Sequence, residues 1–143
     1  MKILLIPLSI AMLSGCSSNT PAVQLTLGVP KHLKTEPGLV EFPARIANTT
    51  KQPVWFYTWM PHRAYYRAFT RQSESDRWEE LPYSMCGVGA TEYELAPNAS
   101  MRFPTVAPAD DAGHQYRVEL SIYKSRGGQT KPFSVTSASA IIQ

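Results

Sequence analysis

Apolar residues recur at every second position through much of this chain. Val23, Leu25 and Leu27 alternate with polar neighbours, and Val40, Phe42, Ala44 and Ile46 alternate with Glu41, Pro43 and Arg45. A period of two puts one strand face in a core and the other in water, so both stretches predict half-buried strands. The turn formers "NTTKQP" at 48–53 close the second strand, and "VWFYTW" at 54–59 opens a third. That third run is apolar on both faces. Either a central strand between two layers or a core face backed by an aromatic outer patch would produce it.

Next, "AYYRAFTRQSESDRWEEL" reads as two strands joined by a polar "QSESD" turn. Helical spacing competes, because Arg63, Arg67 and Arg71 stand four apart. The hairpin is preferred: β-formers crowd both arms, and Ser73-Glu74-Ser75-Asp76 makes a poor helix interior. After the glycine-rich "PYSMCGVGA", "YELAPNASMRF" predicts a short strand, a Pro97-Asn98 turn and another strand, Asn being tolerant of the left-handed region. The clearest strand carries Tyr116, Val118, Leu120 and Ile122 on one face, with Arg117, Glu119, Ser121 and Tyr123 on the other. Gly127-Gly128 turns it into a last strand beginning near Pro132-Phe133.

Short strands, frequent turns and no clear helix argue for an all-β sandwich of about seven to nine antiparallel strands. Asp111-Ala112-Gly113-His114-Gln115-Tyr116 resembles the Asp-x-Gly-x-x-Tyr lead-in to the penultimate strand of immunoglobulin-like domains. The resemblance implies a tyrosine corner of Asp111, Gly113 and Tyr116, the Tyr116 hydroxyl bonding back to the preceding corner. Leu95-Ala96-Pro97-Asn98 through Phe103 resembles the "L-x-P-G-x-x-x-x-F" turn of immunoglobulin-like domains in bacterial envelope proteins, with Asn98 in place of Gly. Antibody-type domains pair a cysteine near this tyrosine. Position 118 is Val, so that framework is missing.

The first residues obey a different logic. Lys2, the apolar run from Ile3 to Leu13 and the small Ser14 and Gly15 make the three parts of an export signal. The run is shorter than the roughly 20 residues a spanning helix needs, and Pro7 interrupts it. Leu13-Ser14-Gly15-Cys16 resembles the lipobox of bacterial lipoproteins. That resemblance implies cleavage before Cys16, a diacylglycerol on its sulfur and an acylated amino terminus; more than one acyl chain is enough for stable membrane attachment. Ser17, where retained inner-membrane lipoproteins carry Asp, points to the outer membrane facing the periplasm. The expected organisation is a signal peptide over 1–15, a lipidated tether over 16–22 and one immunoglobulin-like domain over 23–143.

Cleavage would leave about 128 residues, enough for one core. The mature chain loses Lys2, leaving thirteen basic against eleven acidic side chains. So weak an excess gives no reason to expect a nucleic-acid partner. With Cys16 lipidated, Cys86 has no partner in its own chain, and is either a buried small hydrophobe or a thiol that pairs with another chain.

Candidate chemistry is sparse. Cys86 could act as a nucleophile only if folding brought His62 or His114 to it, with Asp110 or Asp111 behind. Met60, His62, Met85 and Cys86 include soft ligands for copper, but no Met follows His114 and the order is wrong for a blue-copper loop. No zinc spacing and no phosphate loop occurs. The expectation is therefore a non-enzyme with no cofactor and no metal.

Binding offers more. In one strand Arg63, Tyr65, Arg67, Phe69 and Arg71 would share an aromatic and cationic face able to stack on sugars or hold anions. Glu79 and Glu80 on the partner arm would equally make ordinary cross-strand pairs. Two functions follow: a lipid-anchored module that contacts another envelope component, protein or glycan, without chemistry; or an inhibitor of a protease or other hydrolase. The outline also resembles the intracellular proteinase inhibitor domain of bacilli. An inhibitor would act through the 82–90 loop, with Met85, Cys86 and Gly87 at its tip.

Overall fold

The computed structural model describes residues 22–82 and 89–143. The strands in chain order are β1 (Val23–Leu27), β2 (Lys31–His32), β3 (Leu39–Asn48), β4 (Val54–Met60), β5 (Arg63–Ala64), β6 (Arg67–Arg71), β7 (Glu79–Glu80), β8 (Thr91–Leu95), β9 (Ser100–Pro108), β10 (Gln115–Ile122), β11 (Phe133–Thr136) and β12 (Ala140–Ile141). The helical elements among the described residues are two three-residue 3-10 turns, Ala109–Asp111 and Arg126–Gly128. None is long and apolar enough to cross a membrane.

One layer is built on β3, which pairs antiparallel with β1 and β2 along one edge and with β9 along the other. The second layer is built on β10, flanked by β11 and β12 on one side. On its other side β10 has two neighbours in succession. β6 pairs with its first half, from Gln115↔Arg71 to Glu119↔Arg67. Beyond its end, Tyr123 exchanges both backbone hydrogen bonds with Trp55 of β4, at 2.8 and 2.9 Å. β4 in turn pairs with β5 and β8. The chain from Arg63 to Arg71 therefore leaves β4 as β5 and joins β10 as β6. The result is an immunoglobulin-like antiparallel β-sandwich.

The alternating residues form the core between the layers. Val40, Phe42, Ala44 and Ile46 of β3 face Tyr116, Val118, Leu120 and Ile122 of β10, each of these being at most 1% exposed. Phe42 stacks on Tyr116 with ring centres 4.7 Å apart. Each large side chain so buried contributes about 1.5–3 kcal/mol of transfer free energy. β4 resolves the double-faced run: Val54, Phe56 and Thr58 are buried, while Trp55, Tyr57 and Trp59 lie half-buried on the opposite face. The aromatic outer patch is the realised alternative.

Pro43 and Pro104 stand opposite each other in the β3–β9 ladder. Pro43 meets the break between β1 and β2, where its carbonyl accepts the Gly28 amide at 2.7 Å, so no ladder donor is required there. A Cβ on Gly28 would lie 2.9 Å from Pro43 Cγ, which reserves that position for glycine.

Tyr116 Oη reaches across the sandwich and donates to the Val106 carbonyl at 3.0 Å. The acceptor lies ten residues upstream in β9 rather than in the corner turn itself. Gly113 adopts φ +87° and the His114 amide donates to the Asp111 carbonyl at 2.9 Å, which makes the turn into β10. Asn98 occupies the left-handed region at φ +59°, doing the work of the glycine it replaces.

The Asn48-Thr49-Thr50 stretch is a structural knot. Asn48 is 1% exposed. Its Nδ2 donates to the Gln52 and Leu95 carbonyls at 2.8 and 3.0 Å, and its Oδ1 accepts from the Thr50 amide and hydroxyl at 3.0 and 2.7 Å. The side chain ties the β3–β4 turn to the end of β8, and its burial is incompatible with carrying a glycan.

Candidate binding face

The expected face of Arg63, Tyr65, Arg67, Phe69 and Arg71 is divided by the step between β5 and β6. Arg63 lies in β5, its guanidinium 5.6 Å from the Trp59 ring centre. Arg67, Phe69 and Arg71 do share the outer face of the β10 sheet. Arg67 makes a forked pair with Glu80, Nε to Oε1 at 2.9 Å and Nη2 to Oε2 at 2.7 Å, and reaches Glu119 Oε1 with Nη1 at 3.2 Å. Its hydrogen bonds to Glu80 raise its already high pKa further, and in return hold the Glu80 carboxyl below the usual range. These cross-strand pairs, flanked by Phe69 with Arg67 5.0 Å from its ring centre, are ordinary sheet stabilisation.

Tyr65 belongs to something else. Where β4 and β6 succeed one another beside β10, a cleft of about 350 Å³ opens, walled by Tyr57, Tyr65, Tyr66 and Tyr123. Its polar groups are Arg67, Glu119 and Ser121. Tyr57 and Tyr123 meet edge to face at 5.6 Å. Tyr66 is fixed from behind, its hydroxyl accepting the Val106 amide at 3.1 Å and its ring 6.2 Å from Phe103. Gly128 closes on one wall, where a Cβ would come 3.3 Å from Tyr57 Oη. Glu119 is oriented by Arg67 and by Ser134, whose Oγ donates to it at 3.3 Å. The cleft offers flat apolar walls around a fixed carboxylate and a hydroxyl, which suits a ligand with both ring faces and hydroxyl groups.

Sequence reasoning singled out Tyr65 and Arg67 but missed Tyr57, Tyr66 and Tyr123. The available signals were the second aromatic face of 54–59 and the outward Glu119-Ser121-Tyr123 series. Of the other candidates, Cys16 and the loop residues Met85, Cys86 and Gly87 lie outside the described residues. His62 is exposed in the β4–β5 turn at φ +59°. His114 is near the start of β10, its Nδ1 4.0 Å from Asp111 Oδ1. Among the described residues no cluster of three His, Cys, Asp or Glu side chains could hold a metal.

No family model matches the sequence, and comparison with the curated proteins found no match either. Among solved structures, the chain is similar to a protein described as ApaA from Bordetella pertussis, at 17% identity and a TM-score of 0.52, over 84% of this chain and 93% of that one. A PapD-like domain of human CEP192 aligns over 96% of this chain and all of its own length, at 12% identity and a TM-score of 0.39. A β-glucosidase from Kluyveromyces marxianus aligns over 85% of this chain but 14% of its own, with 12% identity and a TM-score of 0.41. At such identities the ApaA likeness speaks to the fold, and it agrees with the β-sandwich built from β3 and β10.

Proposed function

We propose that this chain is a non-catalytic binding module, anchored by lipid on Cys16 in the bacterial outer membrane and facing the periplasm, whose outer β10 face contacts another component of the cell envelope. The observation that supports a binding role is the four-tyrosine cleft. Apolar ring faces left half-open to solvent beside an oriented carboxylate are costly to keep exposed, and are typical of small-ligand sites. The short segment between Cys16 and β1 would hold the domain close to the lipid surface.

The test is photo-crosslinking in the native envelope, with a photoreactive residue at exposed Ser121 beside the cleft. A reproducible adduct, lost when Cys16→Ala removes the anchor and reduced by Tyr65→Ala, is the expected result. An adduct that survives Cys16→Ala would overturn the tether. An adduct indifferent to Tyr65→Ala, or none at all, would overturn the cleft as the site of contact.

A further inference from the structure

The same sheet face carries a cation that has no carboxylate partner among the described residues. The Arg117 guanidinium on β10 lies 4.2 Å from the ring centre of Trp78 and 5.5 Å from that of Phe69. Arg71 stacks on the same indole at 4.5 Å. Two arginines thus converge on one ring, yet Glu80 and Glu119 are both engaged by Arg67. Arg71 donates to Gln115 Oε1 at 2.8 Å and the Glu74 carbonyl at 2.9 Å, neither of them charged. Among the described residues nothing accepts a hydrogen bond from the Arg117 guanidinium, and its Nε is buried without a partner.

A buried donor left unpaired works against folding, and a guanidinium stacked on an indole keeps its planar fork of N–H donors in a fixed geometry. Such a fork matches the two oxygens of a carboxylate or phosphate. We propose that Arg117, supported by Arg71, recognises an anionic group, and that the ligand of the face is an acidic glycan. Its sugar rings lie on the tyrosines of the cleft, and its carboxylate or phosphate is taken by Arg117. Arg117 stands two residues from Glu119 along β10, a strand rise of about 7 Å, which is the spacing of adjacent parts of one oligosaccharide. A sugar is favoured over an acidic peptide because the four tyrosine rings offer flat faces to pyranose rings and Glu119 and Ser121 can pair with sugar hydroxyls, neither of which a glutamate side chain supplies. This inference rests on reading the cleft as a binding site.

The test is calorimetric titration of the full lipidated chain in non-ionic detergent micelles. The probes are trigalacturonate for a carboxylate, glucose 6-phosphate for a phosphate, maltotriose as the neutral sugar and oligoglutamate as the acidic peptide. One of the acidic sugars should bind more tightly than maltotriose, and that preference should shrink as salt is raised. Which of the two binds identifies the anion. Arg117→Gln should weaken the acidic sugar by about tenfold or more and leave maltotriose unchanged. If Arg117→Gln unfolds, Arg71→Gln and the salt dependence of the unaltered protein carry the same test.

Equal, salt-independent binding of acidic and neutral sugars would overturn the anion site while leaving the cleft standing. Binding of oligoglutamate alone would overturn the glycan class. If no probe binds although crosslinking at position 121 still depends on Tyr65, the acidic-glycan inference fails and the cleft survives; if crosslinking too is indifferent to Tyr65, both fail.

Discussion

Replacing Tyr116 by Phe removes one oxygen from the centre of the molecule. The ring is fully buried and its stack on Phe42 at 4.7 Å is retained, so no cavity larger than the hydroxyl is created. What is lost is the 3.0 Å bond to the Val106 carbonyl. A neutral hydrogen bond contributes about 1 kcal/mol net, and an acceptor left without its donor raises the cost toward 1–3 kcal/mol. Val106 is only half-buried, so water can reach part of that carbonyl, and a loss of about 1–2 kcal/mol is expected. For a domain of this length that lowers Tm by about 4–8 °C. Urea unfolding of the full chain, followed by tryptophan fluorescence, should show a lower midpoint at an unchanged slope. Tyr66→Phe removes the acceptor of the Val106 amide, and the double variant should show coupling, since both hydroxyls serve the backbone of one β9 residue. A Tyr116→Phe loss below about 0.3 kcal/mol would refute the view that this bond ties β10 to β9 across the core.

Three further outcomes are expected. Asn48→Ala should cost about 3 kcal/mol or more, because the Gln52 and Leu95 carbonyls and the Thr50 amide all lose their partner in a buried site; thermal unfolding would measure it. Asn98→Ala should cost about 1 kcal/mol, because alanine lacks the short polar side chain that eases φ +59°, whereas Asn98→Gly should stay within about 0.5 kcal/mol of the original, by the same assay. The Arg67 bond holds the Glu80 carboxyl below its ordinary range, so the folded state favours the ionised form. The contribution of the pair is therefore complete above the unfolded value of about 4.3 and is lost as pH falls through the lower folded value. Glu80→Gln should flatten only that acid limb, and NMR titration of the Glu80 carboxyl should show the depressed midpoint.

Strand positions were legible because burial of one strand face is a local, period-two property. Val40 to Ile46 and Tyr116 to Ile122 face the core as their alternation requires, and the immunoglobulin-like resemblance of Asp111-Gly113-Tyr116 marked the turn before β10 but not the Val106 acceptor in β9. Asn98 could likewise be placed, since a left-handed turn residue is chosen by its own backbone. The stretch from Arg63 to Arg71 reads as one arm of a hairpin because periodicity cannot register a change of partner. In the folded molecule it breaks at Tyr65 and Tyr66 to leave β4 for β10.

That change of partner decided the candidate site. Tyr57, Tyr65, Tyr66 and Tyr123 come from separate segments, and they enclose a cleft only because two strands share one edge of β10 in succession. The role of Asn48 was hidden for the same reason: its Leu95 partner is 47 residues away, and a turn composition in sequence says nothing of what the turn is tied to. The isolation of Arg117 is likewise a tertiary fact. The chain carries enough glutamates to neutralise its outer face, but the register of β6 on β7 and β10 hands both nearby carboxylates to Arg67. Period-two alternation and its turn signals determined a β-sandwich, because one-faced burial is local; strand pairing across long separations decided which face of 54–59 is buried, which rings line one cleft and which arginine has no carboxylate partner among the described residues.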